Sequence, residues 1–304
     1  MRKSAVFLAL FLIITSVALA QENMGARPIA MGGAFTGLAD DVNAIFLNPA
    51  GIGYIRGEMA SVSTKISEGK EYTLIGGVER TAIGSFGIGY IGASKPLESA
   101  DDGVVYVDDG NKPVKELNQT LVLSYARELN DFMVVPRFMG RLSLGTNLKL
   151  SSMRVANAKG LSEPTGSAVN ADVAAVFRPN DDLSWGFNLK NCFDRADAED
   201  GSEDQSGMVA AFGVSGNVFD KTLTWSVEDR CMGVEWKPMG QGLALRMGKD
   251  GDYNTAGFGI SISGFGIDYA YLEKEEKVHY VAVSIAIERE QKEADMRQAG
   301  LSLQ

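Results

Sequence analysis

The chain has 304 residues, with 39 Asp and Glu against 29 Lys and Arg, a formal net charge of −10 and a sequence pI near 4.8. That balance argues against nucleic acid as a partner, because phosphate backbones are held by basic stripes. Thirty-five Gly, eight Pro, three Trp, nine Tyr and fourteen Phe suit a β protein with many turns, although a mean hydropathy of −0.03 taken alone describes a soluble chain.

Arg2 and Lys3 precede an apolar run from Ala5 to Ile14 and an Ala18-Leu19-Ala20 cleavage box. This is the layout of a secretory signal peptide, so residues 1–20 are expected to be removed during Sec export. No Cys follows the box, and no lipid anchor is expected. The remainder holds no apolar stretch near the roughly 18 to 20 residues that a spanning helix needs, so any membrane crossing must be made by strands.

Residues 21–56 include "MGARPIAMGGAFTGLADDVNAIFLNPAGIGY". The glycines suggest a phosphate loop, but no mature strand precedes them and no Lys-Ser or Lys-Thr follows Gly33. A compact plug fits better. Gly32, Gly33, Ala34 and Gly37 permit close backbone packing, Asp40 or Asp41 can cap a short helix through Leu47, and Pro49 ends it.

From residue 57 onward apolar and polar residues alternate with the period of strands. Strands are predicted near 57–66, 70–80, 83–94, 116–128, 141–153, 166–178, 183–191, 207–217, 221–228, 231–237, 241–248, 253–263, 265–272 and 278–288. Leu121, Leu123 and Tyr125 share one face and Thr120, Ser124 and Ala126 the other; Val281, Val283, Ile285 and Ile287 oppose Tyr280, Ala282, Ser284 and Ala286. A soluble sandwich has the same period. About fourteen sequential hairpins with export and no helical layer favour an all-β, antiparallel transmembrane barrel over residues 57–288, with long external loops and short periplasmic turns. The acidic stretches "ESADDGVVYVDDG" and "DRADAEDGSEDQSG" fall in external loops on this parity.

The polar face carries Arg141, Lys149, Asp172, Arg178, Lys190, Glu228, Glu235, Arg246 and Asp268, which in a barrel point into the lumen. They either set selectivity and brace a plug, or form a hydrated filling with no substrate. The single His, His279, falls with the lipid-facing set near the outer rim, so no catalytic residues, and no enzyme, are expected. Asp250-Gly251-Asp252 reads as turn chemistry, and neither a metal nor another cofactor is expected. Cys192 and Cys231 both fall at external strand ends, where export permits a disulfide without requiring one.

Gly25-Ala26-Arg27, Ala30-Met31-Gly32-Gly33-Ala34-Phe35, Ala39-Asp40-Asp41, Asn43-Ala44 and Asn48-Pro49-Ala50-Gly51 resemble the amino-terminal signature of the PorV/PorQ family, outer-membrane relatives of FadL/TodX-type transporters of hydrophobic compounds. Weaker matches are Gly233-Val234-Glu235-Trp236, Leu245-Arg246-Met247-Gly248, Ala256-Gly257-Phe258-Gly259 and Asp268-Tyr269-Ala270-Tyr271. The resemblance implies a fourteen-stranded barrel in the outer membrane of a diderm bacterium. Its amino-terminal hatch would carry Asn48, Pro49 and Ala50, shaped by Gly32, Gly33 and Asp41. It further implies passage or binding of a hydrophobic small molecule among outer-membrane lipids, or a protein-binding role with type IX secretion-system proteins; a closed structural barrel is the third reading. The chain departs from the pattern by continuing past its last strand into a charged tail, residues 289–304, and by its leaner external loops.

Overall fold

The computed structural model describes residues 24–66, 70–96, 107, 114–133, 136, 140–157, 160–161, 166–198, 207–238, 240, 242–274 and 277–287. The expected signal peptide, the tail and much of both acidic stretches lie outside the described residues.

The strands are β1 Glu58–Ile66, β2 Glu71–Thr81, β3 Gly84–Pro96, β4 Lys115–Glu128, β5 Arg141–Asn157, the two-residue β6 Gly160–Leu161, β7 Gly166–Arg178, β8 Leu183–Ala198, β9 Val209–Val218, β10 Leu223–Glu228, β11 Cys231–Trp236, β12 Leu243–Asp250, β13 Tyr253–Ile262, β14 Phe265–Glu273 and β15 Lys277–Ile287. Fourteen of them close into one antiparallel ring in chain order. β4 pairs with β5, β5 with β7, and β1 closes the ring against β15. β6 pairs only with the end of β5. The expected fourteen-stranded closed barrel is therefore present. Below, the lower rim is the end where β1 begins and β15 ends, and the upper rim is the opposite one.

Two features depart from the expected strands. β8 continues to Ala198 rather than ending near 191, because three of its residues, Lys190, Asn191 and Cys192, stand opposite Asp172 alone in a bulge. Asn191 takes φ 53° there, and its N–H donates to Asp172 Oδ1 at 2.9 Å. Alternation breaks at a bulge, so a reading by period stops the strand at it. β10 and β11 have only six residues each, against 17 in β5, so the wall is lowest at their hairpin.

The two faces are inverted relative to a protein in water. Val62, Ile88, Leu144, Val173, Val227, Met247 and Ile285 are exposed on the outside, while Asn147, Asp172, Asn188, Thr224, Glu235 and Arg246 are buried on the inside. An exposed apolar face running through every strand suits hydrocarbon, not water. Phe86, Trp185, Trp236 and Phe265 lie on that outer surface near the lower rim, where an aromatic girdle would meet the interface.

The N-terminal segment fills the ring. It holds α1 Ala26–Ala30, α2 Ala44–Leu47 and a 3-10 turn Pro49–Tyr54, and Met31, Phe35, Ile45, Asn48 and Ile52 are fully buried. Inward-facing wall glycines receive it. A methyl group at Gly76 of β2 would come within 2.6 Å of Val42, at Gly213 of β9 within 2.7 Å of the Gly37 nitrogen, and at Gly257 of β13 within 2.6 Å of Ala30 Cβ. Gly186, Gly233 and Gly248 would meet the Thr36, Met31 and Gly32 backbone closer still. Contacts on strands all round the ring are possible only from inside it.

Candidate functional site

A buried segment with only short helices leaves many backbone groups without internal partners, and each must find one. Here the wall supplies them. Asn147 donates to Ile45 O at 2.9 Å, Asn188 to Leu47 O at 2.7 Å, Ser143 to Ala50 O at 2.7 Å and Thr255 to Ala30 O at 3.2 Å. Glu228 accepts from the N–H groups of Phe35 and Thr36 at 3.1 and 2.9 Å and from Thr36 Oγ1 at 2.7 Å. The Tyr54 hydroxyl lies 2.9 Å from both the Arg141 and Val176 carbonyls.

Within the segment, Asn48 is fully buried; its Nδ2 donates to Thr36 O at 2.8 Å and its Oδ1 accepts from Ala50 N at 3.2 Å. Asn48 thus ties the two halves of the segment together, and Pro49 opens the 3-10 turn behind it. Gly32 and Gly33 take φ 67° and 82°, in the region that favours glycine, and Gly32 lies against the Met232 and Lys249 backbone. Asp41 departs from its expected place as a helix cap. Its Oδ1 accepts from Asn43 N and Nδ2, both at 2.8 Å, in a turn that precedes α2, whose N-cap position is Asn43 with no side-chain cap.

The nine inward charges separate into three clusters. In the middle, Glu235 is fully buried and binds Arg27 Nε at 2.9 Å, Arg246 Nε at 2.6 Å and Lys237 Nζ at 3.0 Å, while Arg246 Nη1 reaches Asp268 at 2.6 Å. Arg27 also binds Asp40 at 2.6 Å and Asp41 at 2.8 Å, so one guanidinium on α1 gathers three carboxylates. Burial works against its charge, but Asp40, Glu235 and Asp41 outweigh that and hold its pKa well above the ordinary value. Burial, together with neighbouring Asp40, raises the Asp41 carboxyl. Toward the upper rim, Asp172 takes Lys149 at 2.8 Å and Asn147 Nδ2 at 3.1 Å, and Lys190 stands near Asp172 and Glu228. At the lower rim, Arg141 and Arg178 lie over the Tyr54 ring, with Arg141 3.3 Å from Glu128. Burial pushes the Tyr54 phenol up to about 12.

Sequence reasoning missed Arg27 as an anchor and Glu128 as a partner. Their signal is charge on an otherwise apolar or small-residue stretch, legible only once the opposing wall is known. The disulfide that export would permit is not formed in this structure, where both cysteines are free. Cys192 Sγ donates to Ala171 O at 3.2 Å and Cys231 Sγ to Asp250 Oδ1 at 3.6 Å. β9 and β10 stand between their strands, which at about 4.8 Å per strand separates them by roughly 14 Å, twice the reach of a disulfide. His279 lies outside, its Nδ1 2.7 Å from the Tyr269 hydroxyl.

Around the inner wall, polarity is divided. β14, β15, β2, β3 and β4 bury Leu272, Val278, Tyr280, Tyr72, Leu74, Ile91 and Val122 in one apolar cluster that continues into Val42, Ile45 and Phe46 of the segment, with Met59 of β1 partly buried against it. Apart from Asp268 on β14, the charged clusters stand on the other strands and at the rims.

No family model and no curated protein matches the chain. Solved structures do. The chain is similar to the CymD monoaromatic hydrocarbon channel at 9% identity and TM-score 0.55, covering 88% of this chain and 98% of that one. It is similar to the P. putida toluene transporter TodX at 12% identity and TM-score 0.50, covering 88% and 99%, and to a Pseudomonas aeruginosa FadL homologue at 12% identity and TM-score 0.52, covering 86% and 98%. At these identities the likeness is one of fold: this chain shares the closed barrel of FadL-type hydrophobic-compound channels over most of its length.

Proposed function

We propose that the protein is an outer-membrane barrel that binds or passes hydrophobic small molecules, with residues 24–56 acting as a hatch and Asn48-Pro49-Ala50 as its central turn. The observation that carries this reading is the apolar inner stripe from Leu272, Val278 and Tyr280 through Tyr72, Leu74 and Ile91 to Phe46. Where the segment withdraws, the same stripe offers an apolar ligand the wall that Val42, Ile45 and Phe46 cover at rest. The inverted outer surface supports the membrane location, and the fold shared with hydrocarbon channels supports the ligand class. The narrower assignment to the PorV/PorQ family rests on the amino-terminal motif alone. No catalytic role is assigned. The stripe is packed at rest, so passage requires the hatch to move.

Small molecules extracted from detergent-purified protein and identified by mass spectrometry test this. Hydrophobic compounds should copurify with the wild type and be depleted in Leu74→Asp, which places a charge in the stripe. Empty wild-type protein, or equal retention by Leu74→Asp, refutes the reading.

A further inference from the structure

We propose that the lower mouth of the barrel holds an oxoanion site, in which Arg178, with Arg141 beside it over Tyr54 and Arg56 across Glu128, binds a soluble phosphate or carboxylate group. The proposal stands independently of the transport reading.

β5 and β7 pair so that Arg141 is directly opposite Arg178. Like charges in that position destabilise a ladder, and both guanidinium carbons are further drawn together over one ring, 4.8 and 4.0 Å from the Tyr54 centroid. The counter-charge is short. Glu128 is shared between Arg56 Nη2 at 2.8 Å and Arg141 Nε at 3.3 Å, and Asp131 is taken by Arg80. Four guanidiniums therefore face three carboxylates, Glu128, Asp131 and, near Arg178, Asp40, and each of the three is already bound by an arginine, Asp40 by Arg27, in a protein whose net charge is −10.

Arg178 is the residue left over. Among the described residues its guanidinium meets the Tyr54 ring and no hydrogen-bond acceptor, although it carries five N–H donors in a planar fork. Arg141 Nε is likewise buried without a hydrogen bond, since its approach to Glu128 lacks the required alignment. A forked guanidinium is satisfied by a planar or tetrahedral oxoanion taken through two parallel N–H···O bonds. Both arginines stand on the inward faces of their strands, so the anion arrives from the aqueous mouth and not from the bilayer. Once bound it joins β5, β7 and the Tyr54 turn, and so fastens the last turn of the N-terminal segment to the wall.

The test is a titration of the full-length protein in detergent with inorganic phosphate, followed by phosphorus NMR and by thermal unfolding, against sodium chloride at matched ionic strength. Wild type should bind phosphate saturably and unfold at higher temperature in it. Arg178→Gln should weaken binding roughly tenfold or more, the loss expected for hydrogen bonds to a charged group. Arg178→Lys, which keeps the charge but not the fork, should fall between. Lys70→Gln, at the upper rim, should bind as wild type does. A response that does not saturate, that chloride reproduces, or that Arg178→Gln leaves unchanged overturns the proposal. Should Arg178→Gln not fold, Arg178→Lys and Arg56→Gln, whose parent side chain is 48% exposed, decide it: unchanged affinity in both refutes the site.

Discussion

Glu235→Ala is expected to release α1 from the wall while leaving the barrel closed. Glu235 is fully buried and holds Arg27 through Nε at 2.9 Å and Nη2 at 3.2 Å, together with Arg246 at 2.6 Å. Breaking a buried pair by removing one partner costs about 3–5 kcal/mol, because the surviving charge stays desolvated. Arg27 keeps Asp40 and Asp41, and Arg246 keeps Asp268, so the low end applies. About 3 kcal/mol corresponds to roughly a hundredfold larger population with α1 undocked. Hydrogen exchange read by mass spectrometry on the full-length protein measures this directly. Peptides covering residues 26–34 should exchange about two orders of magnitude faster than in wild type, by that same free energy, whereas peptides from β2 and β3 should not change. Unaltered exchange over residues 26–34 would show that apolar packing, not the Arg27 network, holds α1. Equal acceleration everywhere would show that Glu235 holds the wall instead.

Adjacent glycines give a matched pair. Gly76→Val should loosen the segment and speed its cleavage in limited proteolysis, because a Cβ there meets Val42 at 2.6 Å, whereas Gly77→Val, facing outward with nothing nearer than 3.9 Å, should leave cleavage unchanged. Asn48→Asp should undock the segment at neutral pH, since a buried carboxylate would face the Thr36 carbonyl that Asn48 Nδ2 now satisfies; exchange over residues 44–54 should slow again as the pH falls and the carboxyl protonates. Docking should also depend on Asp41. Its carboxyl is raised on docking by burial and Asp40, so the docked segment takes up a proton more readily than the released one. This increment is fully present below the released-state pKa and is lost as pH rises through the docked-state value. Asp41→Asn should flatten that part of the exchange-against-pH profile, and an unchanged profile would assign it elsewhere.

Strand positions were legible because each strand separates lipid-facing from inward residues with period two, and Leu121, Leu123, Val283 and Ile285 do lie on the exposed face. The reading faltered where the backbone leaves that period. The bulge at Lys190, Asn191 and Cys192 hid seven further residues of β8, and a bridge from Cys192 to Cys231 would have had to span the two strands that stand between them. The inward charges could be named but not grouped, because grouping depends on which strands neighbour one another and on what the N-terminal segment brings to them. Arg27 shows this best. It reads as one basic residue in an apolar stretch, and only its approach to Asp40, Asp41 and Glu235 reveals an anchor. The inward glycines carried a stronger hint. Gly145, Gly186, Gly233 and Gly248 sit on the polar face of their strands, where a hydrated lumen would place no special demand, yet each would clash with segment backbone if it bore a Cβ.

For the hatch proposed above, the division of the inner wall suggests a way of moving. Its backbone carbonyls and N–H groups are satisfied by side chains of β5, β8, β10 and β13, and α1 is held in addition by the Glu235 network. Leaving those partners exposes buried polar groups, which costs about 1–3 kcal/mol for each one left unpaired. Against β2 and β3, Val42 and, from α2, Ile45 and Phe46 meet the wall over Gly76, Gly87 and Gly89. Contacts of that kind are non-directional, and an apolar ligand can replace them atom for atom with little change in buried area. On the proposed transport reading, a hydrophobic molecule descending the Tyr72, Leu74 and Ile91 stripe would therefore meet the edge of the segment where substitution is cheapest, with the hydrogen-bonded side as the hinge. On this argument a substitution that adds one hydrogen bond between α2 and β3 should slow ligand passage more than one that adds a bond between α2 and β5, where the hatch is already fastened.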